Sequence, residues 1–315
     1  MFRTMESPSR SGDLTTGGAR AAGAVSRRRF AHLASGAVLI ASLTTACAQA
    51  DASGGAGKAL QASGSTTVAP VAADAAEALK ARGLNITVAT QGGSAGGISQ
   101  LGAGQIDIAL SSKPVSDEDK AASPETDYVS TQIGADAVGI IISKQVADAG
   151  VGNLTKEQAK GLFEGKITNW KQVGGPDLPV FVYDKEPGRG TREVLDTFLY
   201  RGEKPPPPPN SNNFAIVGGN LETRNKLEST PGSVGPLSTG FVEGRDKLAV
   251  VTLDGIAPSS ENVATGKYPM SRPLYMVTNG PAKDDAKKFI DYILSDEGQP
   301  LLTKHGYLTL KQIGR

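Results

Sequence analysis

The chain has one cysteine, Cys47, and two histidines, His32 and His305. A single cysteine excludes an intramolecular disulfide, so the fold must rest on its own core. One cysteine and two histidines leave no Cys/His cluster for a transition metal, and no cofactor is expected. Lys and Arg number 33 against 32 Asp and Glu, a net charge of +1, with no basic run and only 5% aromatic residues. A nucleic-acid surface needs clustered basic residues with aromatic or Arg platforms, so that class of partner is set aside. Crossing a bilayer takes about 20 apolar residues. The apolar stretch at 30–46 is shorter and broken by His32 and small Ser and Thr residues.

What is present begins with a leader. Up to Ser26 the chain is rich in Gly, Ser, Thr, Arg and Ala, without apolar periodicity. Arg27-Arg28-Arg29-Phe30 then precedes the short apolar core, which ends in Leu43-Thr44-Thr45-Ala46-Cys47. A basic flank, a short apolar core and small residues at the end describe a signal peptide over residues 1–46. The paired arginines resemble a twin-arginine export signal; the alternative is an ordinary secretory signal rich in Arg. Cys47 sits as in the lipobox of bacterial lipoproteins, although Thr44 occupies the position where that motif usually has a bulky residue. Lipidation at Cys47 is therefore expected, with anchoring at the outer face of the cell membrane or in the periplasm. Residues 47–58, small and Gly-rich, read as a flexible tether.

The rest of the chain alternates strand and helix patterns. A short strand from Leu60 enters Ser63-Gly64-Ser65-Thr66-Thr67, and residues 71–82 have helical spacing. Residues 84–90 alternate with period two, residues 91–97 read as a Gly-rich loop, and a helix is expected at 97–103. Strands follow at 106–110 and at 137–143, the latter apolar throughout and hence central. Thr155 with Gln158 has the capping-box spacing of a helix start. A strand at 180–183, helices at 191–200 and 220–229, an extended segment at 235–242, a strand at 274–278 and a helix at 284–294 complete the pattern. Pro205–Pro209 cannot be helix and reads as a stiff excursion. The alternation predicts an α/β fold with mostly parallel strands.

Three segments share one design: strand, Gly/Ser/Thr turn, helix. They are Ser63–Thr67, Gly92–Gly97 and Pro187–Thr191. A helix N-terminus offers unpaired N–H groups and about half a positive charge. Glycine lets backbone approach closely and hydroxyls add donors, so such turns can hold an anion without a metal. Taken singly, each turn reads equally as plain helix capping. None has the Gly-Lys-Ser/Thr ending of a nucleotide P-loop. Together, near Lys113, Lys185 and Arg189, they point to a small oxyanion. Lys113 and Lys185 also read as solvated surface charges, whereas Arg189 lies inside the Gly turn and brings a donor fork suited to phosphate.

These motifs resemble those of the phosphate-binding proteins of phosphate ABC importers, the PstS family. The resemblance is carried by Ser63–Pro70, Gly93–Gly97, Asp107–Lys113, Leu154–Gln158 with Gly165–Trp170, Glu186–Glu193, Tyr268–Tyr275 and Phe289–Gly298, and runs from about residue 60 to 311. It implies a two-lobed periplasmic-binding-protein fold of type II. Each lobe is a mostly parallel sheet flanked by helices, with a two-strand hinge and the ligand between the lobes. By position, Ser65, Thr66, Thr67, Ser94, Ser112, Lys113, Lys185, Arg189, Gly190 and Thr191 are expected to bind phosphate, and Trp170 to pack in the core or on a lobe surface. Two positions depart from better-known members: Ser112 stands where they carry Asp, and Arg189 where the third loop often has Ser. A carboxylate accepts the proton of hydrogen phosphate and repels a fully ionised anion. With Ser112 in its place, Asp136, Asp184 or Glu186 is left to supply an acceptor.

The expected lobes are residues 59–141 with 247–311, and 142–246, crossing near Ser143 and Val250. The expected partners are inorganic phosphate and the membrane permease subunits of an ABC importer, with the protein a monomer and not an enzyme. A binding protein for sulfate or molybdate shares the same donor chemistry. An exported phosphatase would need a nucleophile with its base, or a metal, and only His305 lies outside the leader.

Overall fold

The computed structural model describes residues 59–315. The signal peptide, the lipidation of Cys47 and the tether lie outside the described residues. In chain order the elements are β1 (Leu60–Gly64), α1 (Ala69–Lys80), β2 (Ile86–Ala89), α2 (Gly93–Gly102), β3 (Ile108–Ser111), α3 (Asp117–Ala122), β4 (Tyr128–Ser143), α4 (Lys144–Asp148), β5 (Asn153–Leu154), α5 (Lys156–Phe163), β6 (Phe181–Lys185) and α6 (Gly190–Tyr200). They continue with β7 (Phe214–Val217), α7 (Asn220–Ser229), β8 (Ser233–Ser238), β9 (Leu248–Val250), β10 (Thr252–Leu253), α8 (Ser260–Ala264), β11 (Ser271–Asn279), α9 (Asp284–Leu294) and α10 (Pro300–Lys304).

The main sheet runs β2-β1-β3-β11-β4-β8-β6-β7, with β9 also on β4. Its outer trios are parallel, as strand–helix alternation demands. Its middle is antiparallel, where β11 pairs with β3 and β4, and β4 with β8. The single long strand β4 serves two half-sheets. From Tyr128 to Ala137 it pairs with β11, and from Val138 to Ile142 with β8.

Each half has its own core. In the first, Val71, Ala75 and Leu79 of α1 meet Ile108, Leu110, Met276 and Phe289. In the second, Val138, Ile140 and Ile142 meet Leu162, Trp170, Leu195 and Leu199. Trp170 is fully buried and its Nε1 donates to the Gly232 carbonyl at 2.9 Å, so its indole is a packing element with a satisfied polar end.

Three expectations shift. The glycines at 93–97 lie inside α2 rather than before it. A Cβ on Gly97 would come within 2.5 Å of the Ser63 carbonyl, so close packing on β1 outweighs helix propensity there. The chain changes halves within β4, at Ala137–Val138, earlier than Ser143. It returns at Met270–Ser271 rather than near Val250, because Val251, Leu253, Val263, Tyr268 and Met270 all pack in the second core. The Tyr268 hydroxyl donates to the Val138 carbonyl at 2.9 Å, tying that segment to the second half.

Candidate functional site

Four helices of the described residues begin around one small cavity: α1, α2, α6 and α7. Their N-cap residues are Val68, Gly92, Arg189 and Gly219, and none caps its helix with a side chain. Elsewhere Ser116, Thr155 and Ser259 do so for α3, α5 and α8. Helix ends without a side-chain acceptor leave N–H groups and partial positive charge directed at whatever fills the space before them. At α1 part of this is satisfied locally, since Ser65 Oγ accepts from the amides of Thr67 and Val68 at 3.2 and 3.4 Å.

The cavity, with the solvent-open space at its mouth, spans about 210 Å³ free of protein atoms and has equal contributions from the two halves. The first half supplies Ser65, Thr66, Thr67, Gly93, Ser94 and Ser112; the second supplies Lys185, Arg189, Gly190, Thr191, Gly218 and Asn220. Nine of the ten residues singled out from the sequence thus line one space. The tenth, Lys113, does not. Its buried ammonium pairs with Asp119 at 2.8 Å and, across the cleft, with Glu193 at 3.3 Å.

On the first wall the hydroxyls form a cluster. Ser65 Oγ donates to Ser112 Oγ at 3.0 Å, Ser94 Oγ lies 3.3 Å from Ser112 Oγ, and the Ser112 amide donates to Ser94 Oγ at 3.1 Å. On the second wall Lys185 is 1% exposed. Its Nζ donates to the Gly218 carbonyl at 3.4 Å, to Asn220 Oδ1 at 3.2 Å and to Thr223 Oγ1. Burial, reinforced by the nearby charges of Arg272 and Arg189, pushes Lys185 down to about 7. Such a group gains strongly from an anion beside it.

The walls touch. The Ala95 amide donates to the Gly188 carbonyl at 3.1 Å, and Asn220 Nδ2 donates to Thr67 Oγ1 at 2.9 Å. A Cβ on Gly190 would lie 2.5 Å from Ser112 Oγ and 2.7 Å from the Ser112 carbonyl oxygen. Only glycine lets the first residue of α6 come this near.

Among the described residues, no carboxylate lines the cavity. Asp136 is held by Arg272 at 2.8 Å and by Ser238 at 2.8 Å. Asp184 accepts from the Lys185 amide at 2.7 Å and pairs with Arg192, and burial pushes its carboxyl up to about 6. Glu186 is taken by Arg189, whose Nη2 lies 2.6 Å away. His305 lies apart from all of this, 2.8 Å from Asp74 of α1.

Sequence reasoning passed over Asn220 and Gly218 in the lining and Arg272 behind it. The first two had a signal: Gly218-Gly219-Asn220 is a fourth Gly turn opening a helix. Arg272 had a weaker one, a charge two residues before the strand expected at 274–278, inside the segment Tyr268–Tyr275.

Comparison with known proteins agrees with this geometry. Residues 48–297 match a family model described as a PBP superfamily domain. The phosphate-binding protein PstS of Bacillus subtilis strain 168 is 30% identical over 248 residues, covering 78% of this chain and 79% of that protein. A Clostridium perfringens structure, ascribed to a phosphate ABC transporter substrate-binding protein with bound phosphate, superposes with a TM-score of 0.72. It is 31% identical and covers 80% of this chain and all of its own. An ABC-type phosphate transport receptor from Vibrio cholerae gives 0.64 at 27% identity, over 79% of this chain and 99% of its own.

Proposed function

The chain belongs to the PstS-type phosphate-binding proteins of the PBP superfamily, and from that premise we propose that its cavity captures inorganic phosphate for delivery to an ABC importer. It is a solute-binding protein, not an enzyme. The observation that carries the reading is the convergence of four helix N-termini, five hydroxyl-bearing side chains of the first half and two cations of the second on one small space. Neutral donors replace the hydration shell of a tetrahedral anion, and Lys185 and Arg189 balance its charge.

Residues 59–137 with 271–315, and 138–270, are the two lobes in this reading, hinged where β4 and the start of β11 cross between half-sheets. Phosphate binding favours the form in which the walls meet, by as much as its affinity for that form exceeds its affinity for the open one. The membrane subunits then recognise the closed monomer. Export by the signal at 1–46, of twin-arginine type, and acylation of Cys47 hold it at the outer face of the membrane. One acyl chain alone anchors weakly, so several are needed.

The missing carboxylate supports a second reading, capture of a fully ionised oxyanion such as sulfate or molybdate. Isothermal titration of ligand-free protein with phosphate, arsenate and sulfate separates the two. Saturable one-to-one binding of phosphate, with sulfate weaker, is expected. No heat with phosphate would overturn the proposal, and tighter sulfate binding would favour the second reading.

A further inference from the structure

We propose that Arg272 is a positioning residue that orients the hydroxyl protons of Thr67 and Thr191 toward the bound anion and does so only when both walls are in place. This deepens the phosphate-binding reading and rests on it. Arg272 is 3% exposed and does not line the cavity. It stands on β11 directly opposite Asp136 of β4, beside the point where both strands pass between the halves. Its Nε and Nη2 donate to Asp136 Oδ2 at 3.0 and 2.8 Å. The remaining donors reach in opposite directions. Nη2 also donates to Thr67 Oγ1 of the first wall at 2.9 Å, and Nη1 donates to Thr191 Oγ1 of the second at 3.0 Å.

A hydroxyl has one proton and two lone pairs. Thr67 Oγ1 accepts from Arg272 Nη2 and from Asn220 Nδ2, each at 2.9 Å. Both lone pairs are therefore occupied, and its proton can only be given away. Asn220 cannot turn over, because its Oδ1 accepts from Lys185. Thr67 and Thr191 line the cavity, so the Thr67 proton points to the one acceptor such a site receives, an anion oxygen; Thr191 Oγ1, with one lone pair taken by Arg272, is biased the same way. A free hydroxyl can donate or accept; a hydroxyl held this way is a preset donor, with less reorganisation on binding. Asp136 keeps the guanidinium plane fixed, which a flexible ammonium would not achieve.

The test is a double-mutant cycle on phosphate affinity, with Arg272→Lys and Thr67→Val, each variant also melted without ligand. Each single change is expected to weaken phosphate binding on the order of tenfold, the worth of one hydrogen bond to a charged group. Combined, they should weaken it little more than either alone, because the second acts through the first. Losses that multiply would overturn the inference. So would an Arg272→Lys protein that melts earlier yet binds phosphate as tightly as the parent. Should Arg272→Lys not fold, the neutral pair Arg272→Gln with Asp136→Asn, which leaves no unpaired buried charge, takes its place in the cycle and is judged in the same way. Failure of the unsubstituted protein to bind phosphate would sink the functional reading itself; binding by that protein with multiplying losses sinks only the role of Arg272.

Discussion

The two walls of the cleft solve different parts of one problem. The first presents Ser65, Thr66, Thr67, Ser94 and Ser112, all neutral; the second presents Lys185, Arg189 and the amide of Asn220. Neutral hydroxyls, the three serines held by one another, set positions and distances. Buried Lys185 and half-buried Arg189 supply the attraction, and Lys185 pays for it in desolvation when the space is empty. A site divided in this way is complete only when the walls meet, so attraction and geometry are joined by the same motion.

Removing the charge of the second wall should break the division most severely. Lys185→Met is expected to weaken phosphate binding on the order of a hundredfold, the upper range for a hydrogen-bonded charged group, measured by titration calorimetry. Because burial holds Lys185 down to about 7, an anion beside it should draw a proton onto the amine above that pH. Affinity should therefore fall as pH rises through and beyond 7. Phosphate titrates in this range too, and Lys185→Arg, whose guanidinium stays charged, provides the control. At pH 8, in buffers of different ionisation enthalpy, the parent should take up more protons on binding than the Arg variant. Equal uptake would show that Lys185 is already charged.

Keeping both walls but holding them apart comes next. Gly190→Ala sets a Cβ against Ser112 Oγ at 2.5 Å, a clash that exists only when the walls meet. A loss on the order of thirtyfold in phosphate affinity is expected, from the ordinary cost of overpacking, with the ligand-free melting temperature unchanged. A fall in that temperature would mean the walls touch without ligand as well. The smallest effect should come from giving the neutral wall a charge. Ser112→Asp is expected to raise the preference for phosphate over sulfate by about tenfold, since the carboxylate accepts a proton that sulfate lacks. An unchanged ratio in competition titrations would place discrimination elsewhere.

Much of this arrangement was legible because local chemistry and global fold agree. α9 spans Asp284–Leu294 as its amphipathic spacing requires, and Thr155 and Gln158 make both bonds of their capping box. The Gly/Ser/Thr turns announced themselves by composition. What escaped were features set by distant partners. The first part of β4 is held by its pairing with β11, which no local apolar run records. Lys113 has a pattern suited to anion binding, but Asp119 and Glu193 claim its ammonium. Arg272 looks like a stray charge until Asp136 is found across the strand pair.

The position of β11 has a consequence for how the molecule comes into being. The second half is assembled from one continuous stretch, 138–270, and every strand of its sheet precedes Ser271. The first half leaves a slot between β3 and β4 that only residues 271–279 fill. As the chain leaves the ribosome, the part begun first is the part finished last. Its pairing then spans the largest sequence separations, which slow folding.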